Sequence, residues 1–89
     1  MQTIWKYPLA GKAKQVVELP MGYEILSCQK RAGKITLWVR HETDNEKMAV
    51  NIVMLATGAP EPPEYLEFLA TIQYTDETMI HVFREVSGA

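Results

Sequence analysis

Few side chains in this sequence are placed to do chemistry, and the most suggestive lie in Thr36-Leu-Trp-Val-Arg-His41. In a β-strand successive side chains point to opposite faces, so Trp38 and Arg40 share the face opposite Leu37 and Val39. An arginine beside an aromatic ring suits a ligand with a flat base and a phosphate. The same tryptophan also suits the wall of a sheet–sheet or subunit contact, and the strand patterns described below favour that buried setting. His41 and His81 are the only histidines. They fall on well-separated strands, without the paired-His, His-Glu-x-x-His or cysteine-rich spacings that hold a metal. His81, within Ile80-His-Val-Phe83, is a candidate binding residue or general base, although a hydrogen-bonded strand histidine is the commoner role. Cys28 reads as a buried, inert thiol. Ser27 and Ser87 lack the Gly-x-Ser-x-Gly elbow of a serine nucleophile, and the five glycines are isolated, so no phosphate-cradling loop is formed. Trp38, Arg40 and His81 are therefore the candidate binding residues. No catalytic residue, metal or cofactor is expected, and a non-enzymatic protein is the favoured class.

These residues need a scaffold, and 89 residues provide one domain with a thin core. An apolar fraction of 47% with 22% charged residues is that of a soluble globular chain. Nine Lys and Arg against eleven Asp and Glu leave a net charge of −2, which disfavours a duplex nucleic-acid partner. Lys12/Lys14 and Lys30/Arg31/Lys34 are the nearest approach to a basic patch, and they read as solvated loop charges. One cysteine cannot close an intrachain disulfide, and the N-terminus lacks the charge and hydropathy pattern of a signal peptide. The longest apolar stretch, Met48 to Ala56, is too short to span a bilayer. A cytoplasmic setting is expected, with no membrane partner.

Breakers and alternation predict seven short strands: Thr3–Tyr7, Gln15–Leu19, Tyr23–Gln29, Lys34–His41, Met48–Ala56, Ala70–Tyr74 and Thr78–Val86. Gly33 supplies the positive φ that a tight hairpin before Lys34 needs. Pro60, Pro62 and Pro63 forbid a central strand between the fifth and sixth. Pro63 suits the first turn of a short helix instead, with Tyr65, Phe68 and Leu69 on one face at helical spacing. The fold class is mainly β, a compact antiparallel sandwich or rolled sheet with one short helix.

Several strands are apolar on both faces. In the fifth, Met48, Val50, Ile52 and Met54 alternate with Ala49, Val53 and Leu55; in the last, Ile80 and Val82 oppose Met79 and Phe83. A sheet with one wet face should alternate apolar with polar. The short helix, folded-over strands and a second copy of the chain are the available covers, so a homo-oligomer is expected, a dimer first, with the Trp38 face or the Met48–Leu55 strand at its interface.

The order Ile4-Trp-Lys-Tyr-Pro-Leu9, Glu18-Leu-Pro-Met-Gly22 leading to Ile25-Leu-Ser27, Leu37-Trp38, Thr57-Gly58 and His81-Val-Phe83 resembles a family of small uncharacterised proteins of tailed bacteriophages and prophages. The likeness spans nearly the whole chain. It departs at Ala56-Thr57-Gly58, where the family carries a Gly-Thr-Gly-like turn, and at Leu69-Ala-Thr-Ile72, where it carries a Tyr-Ile-Gly-Thr-like strand. The resemblance implies a phage context inside a host cell and brings no functional residue with it. In that context the leading expectation is a non-enzymatic accessory protein that binds and neutralises a host component, such as a defence protein. Sequestration of a small cyclic nucleotide signal, a structural role in the virion and a small hydrolase are the alternatives.

Overall fold

The computed structural model describes residues 1–62 and 65–86. Seven strands follow in chain order: β1 (Gln2–Pro8), β2 (Lys14–Pro20), β3 (Glu24–Arg31), β4 (Lys34–Glu42), β5 (Lys47–Ala56), β6 (Leu66–Gln73) and β7 (Met79–Glu85). They form two antiparallel sheets, ordered β1-β4-β3 and β2-β5-β7-β6, here sheets A and B. Of the expected antiparallel sandwich or rolled sheet, two stacked antiparallel sheets are what form. Its thinnest dimension, 17 Å, is that of two stacked sheets.

The inner faces come from strict alternation. Ile35, Leu37, Val39 and His41 of β4 point inward, each at most 7% exposed. Ile35, Leu37 and Val39 meet Leu19, Val50, Ile52, Ile72 and Val82 from sheet B in one apolar cluster. The β3–β4 hairpin closes through Ala32 (φ 51°) and Gly33 (φ 79°), a two-residue turn with both φ values positive. That is the type I′ backbone, whose twist matches the flanking strands.

Three expectations need correction. Among the described residues there is no helix: Pro63 and Glu64 lie outside them, and from Leu66 the chain is β6. Phe68 pairs across the ladder with Phe83, ring to ring at 5.8 Å and edge-on. A bulge between Phe68 and Ala70 inserts Leu69, so the apolar spacing that suggested a helix belongs to a kinked strand. A second bulge, between Ile25 and Ser27, breaks the alternation that would set Leu26 and Cys28 on one face. Cys28 is buried and Leu26 is 38% exposed. Third, Trp38 does not stand between the sheets; it lies on the outer face of sheet A.

The outer face of sheet B is unevenly buried, with Phe68 58% and Val16 57% exposed. Val53, opposite Phe83 and outside the main cluster, is only 2% exposed. β5 and β6 flank β7 and are both antiparallel to it, so they run the same way. Thr57, just after β5, hydrogen-bonds His81 on the outer side of β7.

Candidate functional site

Of the candidate residues, Trp38 and Arg40 stand together and His81 stands apart. Trp38 occupies the middle of the central strand of sheet A, with Lys6 of β1 beside it on one side and Ser27 of β3 on the other. It is half-buried among these neighbours. Arg40, one pleat along, sits between Ile4 and Glu24, and its Nη1 donates to Glu24 Oε1 at 3.2 Å. Ile4 is 51% exposed. The outer face of sheet A thus carries a tryptophan, an isoleucine and a solvent-exposed Arg–Glu pair. Such an exposed pair adds little to stability.

His81 lies on the opposite surface, the outer face of sheet B. Its Nε2 is 2.8 Å from Thr57 Oγ1 and its Nδ1 is 2.9 Å from Thr71 Oγ1. With a hydroxyl on each nitrogen, the ring links Thr57, just after β5, to Thr71 of β6. His41 is similarly committed. Its Nδ1 lies 3.1 Å from the Glu42 carbonyl, which can only accept, so Nδ1 carries the proton and Nε2 accepts from the Tyr7 hydroxyl at 2.8 Å. Burial pushes the Cys28 thiol up to about 11, keeping it protonated and unreactive. Among the described residues, no three His, Cys, Asp or Glu side chains are grouped to hold a metal ion. No helix among them is long and apolar enough to cross a membrane.

A further site was not legible along the chain. At the end of the sandwich where β1, β3, β5 and β6 finish, the two sheets part around a cavity of about 610 Å³. Its walls are apolar (Leu9, Ile35, Met54, Ile80 and Tyr74), and Lys12 and Lys34 stand in its lining. The β1–β2 loop at its rim is fixed by Gln15, whose side chain both accepts from Ala10 N and donates to Ala10 O, at 2.8 Å each, and donates to Lys12 O at 3.0 Å. Tyr74 is held from β3: Lys30 Nζ donates to its carbonyl and lies 4.9 Å from its ring centre.

The two lysine groups that the sequence separates, Lys12/Lys14 and Lys30/Arg31/Lys34, both arrive at this end. Lys12 and Lys34 line the cavity, Lys30 reaches Tyr74 in its wall, and Lys14 lines a smaller neighbouring cleft. The strand ends there contribute two acids, Asp76 and Glu77 of the β6–β7 turn. The other end carries Glu24, Glu42, Asp44, Glu46, Glu67 and Glu85 against Arg40, Lys47, Arg84 and the N-terminal ammonium, with Glu24, Glu42 and Glu67 in ion pairs. The excess of basic side chains therefore falls at the cavity end. The signal present in sequence was the pair of basic segments flanking strand ends; only the strand order shows that they meet.

No curated protein and no solved structure is significantly similar to the chain. A family model described as a domain of unknown function, DUF7352, matches residues 1–89. The protein belongs to the DUF7352 family.

Proposed function

We propose that this protein is a non-enzymatic phage accessory protein that neutralises a host protein by docking onto it with the outer face of sheet A. The observation that carries this reading is the setting of Trp38, half-buried at the centre of a sheet face that no strand among the described residues covers, with Ile4 exposed and Arg40 beside it. Tryptophan and arginine are the residues most enriched where a protein interface concentrates its binding energy. Three strands at about 4.8 Å spacing and seven residues at about 3.3 Å rise make a face of roughly 300 Å², on which Trp38 and Ile4 form a small apolar centre ringed by Lys6, Ser27, Arg40 and Glu24. The phage context rests on the resemblance described above. The engaged histidines and the protonated thiol support binding over catalysis.

The test is affinity capture from bacterial lysate with the parent protein, Trp38→Ala and Arg40→Glu, each shown to be folded by circular dichroism. The parent should retain a specific protein that both variants release, with Arg40→Glu acting through k-on and salt dependence as a charge at an interface rim does. Retention of the same protein by both variants would remove the sheet A face from the proposal.

A further inference from the structure

We infer that the open end of the sandwich, between the β1–β2 loop and the β3–β4 hairpin, is a binding site for a small amphipathic anion: a ligand with an apolar or aromatic body and one acidic head. The site is separate from the outer face of sheet A.

Size, lining and charge agree on this class. A cleft of about 610 Å³ falls within the roughly 300–1,000 Å³ range of small-molecule sites. Leu9, Ile35, Met54 and Ile80 offer the body an aliphatic wall from both sheets, and Tyr74 adds an aromatic one. None of the lining residues is acidic, while Lys12 and Lys34 stand at the opening. Neither ammonium has a hydrogen-bond or ion-pair partner among the described residues. An apolar ligand without charge would use the walls and leave these two cations idle; an inorganic anion would use the cations and leave the walls wet. A ligand carrying both features uses all of them. The lysine ammonium is a point charge on a flexible stem, so it suits a carboxylate, sulfonate or phosphate head without demanding bidentate geometry.

The site is also preorganised, which lowers the ordering cost of binding. Gln15 holds the loop that carries Lys12 through three hydrogen bonds, and Met54 N donates to Ala13 O at 2.7 Å, tying the same loop to β5. Lys34 follows the two-residue turn, where Ala32 is held at φ 51°, a conformation that a residue with a Cβ adopts at a cost. Strained backbone of this kind collects at ligand sites. Leu9, whose N donates to Ile35 O at 2.8 Å, joins the loop to the floor.

The probe for the experiment is 1-anilinonaphthalene-8-sulfonate, an aromatic sulfonate whose fluorescence rises in an apolar site, with neutral N-phenyl-1-naphthylamine as its uncharged counterpart. The parent protein should bind one sulfonate per chain. Lys12→Gln/Lys34→Gln should weaken that binding at least tenfold and leave the urea midpoint unchanged, because both side chains are exposed. Ile80→Trp, which fills the cavity, should abolish binding of both probes, whereas Lys47→Gln at the far end and Trp38→Ala should change neither. Absence of sulfonate binding by the folded parent overturns the inference. So does binding that the lysine pair leaves intact, or equal affinity of the parent for the neutral probe, which would leave the cations without a role.

Discussion

Leu37 and Trp38 are neighbours in β4 that face opposite ways, and truncating each in turn tests the architecture. Leu37 is fully buried in the cluster shared by both sheets. Leu37→Ala removes its contacts and leaves a closed cavity, at a cost of about 3 kcal/mol. In a domain of this size that lowers Tm by roughly 12–24 °C. Trp38 is larger but stands on the outer face, partly in water. Its truncation opens a shallow dent that solvent fills, so no cavity cost is added. Losing about 80 Å² of covered apolar area at about 25 cal/mol per Å² leaves roughly 2 kcal/mol, an upper figure because the unfolded chain also shields part of the ring. Urea unfolding of the parent and both variants at micromolar concentration measures the difference, which should be at least ~1 kcal/mol in favour of Leu37. Equal losses would refute the reasoning, because they would require Trp38 to be enclosed in solution. If the Trp38→Ala loss then grows with protein concentration, a second copy of the chain supplies the enclosure.

Three more outcomes follow from local geometry. Ala32→Asn places in the type I′ turn a residue that tolerates positive φ, and should raise stability by about 0.5–1 kcal/mol at unchanged urea m-value. Tyr7→Phe removes the hydroxyl that donates to His41 Nε2 and leaves a buried acceptor unsatisfied; a loss of about 1–2 kcal/mol is expected by urea unfolding. Cys28 should resist a thiol reagent at pH 8 until the protein is unfolded. Because burial raises its thiol from near 9 to about 11, its contribution is complete below about pH 9 and fades as pH climbs through 11. The parent should therefore lose stability more steeply than Cys28→Ala across that window.

The strands were legible where turn chemistry brackets a run of alternating or β-branched residues. Gly33 marks the hairpin, Pro20 and Gly22 end β2, and the Thr43–Glu46 run separates β4 from β5, so those elements lie within a residue or two of where the spacing puts them. β6 was misread for a physical reason. Tyr65, Phe68 and Leu69 have the spacing of a helix face, but Phe68 and Leu69 belong to a strand in which a bulge between Phe68 and Ala70 doubles one position. A bulge is invisible in sequence, since it depends on the partner strand. The same holds at Leu26, where the partner β4 forces Cys28 inward. The face of Trp38 was read correctly from alternation, but which side of sheet A would meet sheet B was not. That choice follows from adding up a whole strand: Ile35, Leu37, Val39 and His41 outweigh Thr36, Trp38 and Arg40 in apolar area, so the tryptophan goes outside.

The basic end shows a different limit. Composition gave a net charge of −2 and argued against a duplex nucleic-acid partner, yet net charge constrains solubility and long-range association rather than the potential at one point on the surface. Lys12 and Lys34 are 22 residues apart in the chain and line the same cavity because β1 and β3 end side by side around β4. The antiparallel order makes this unavoidable: every turn between an odd strand of the first three and its successor falls at one end, and the basic segments occupy those turns. Their acidic counterparts follow β4 and precede β5, at the other end. Lys47→Glu, at the acidic end, and Lys34→Glu, at the basic end, change net charge equally. If local potential governs anion capture, only Lys34→Glu should reduce sulfonate binding, and the contrast should shrink as salt shortens the screening length from about 10 Å at 0.1 M toward 3 Å at 1 M. Equal effects of the two substitutions would return the argument to net charge and take the convergence of the two lysine groups out of it.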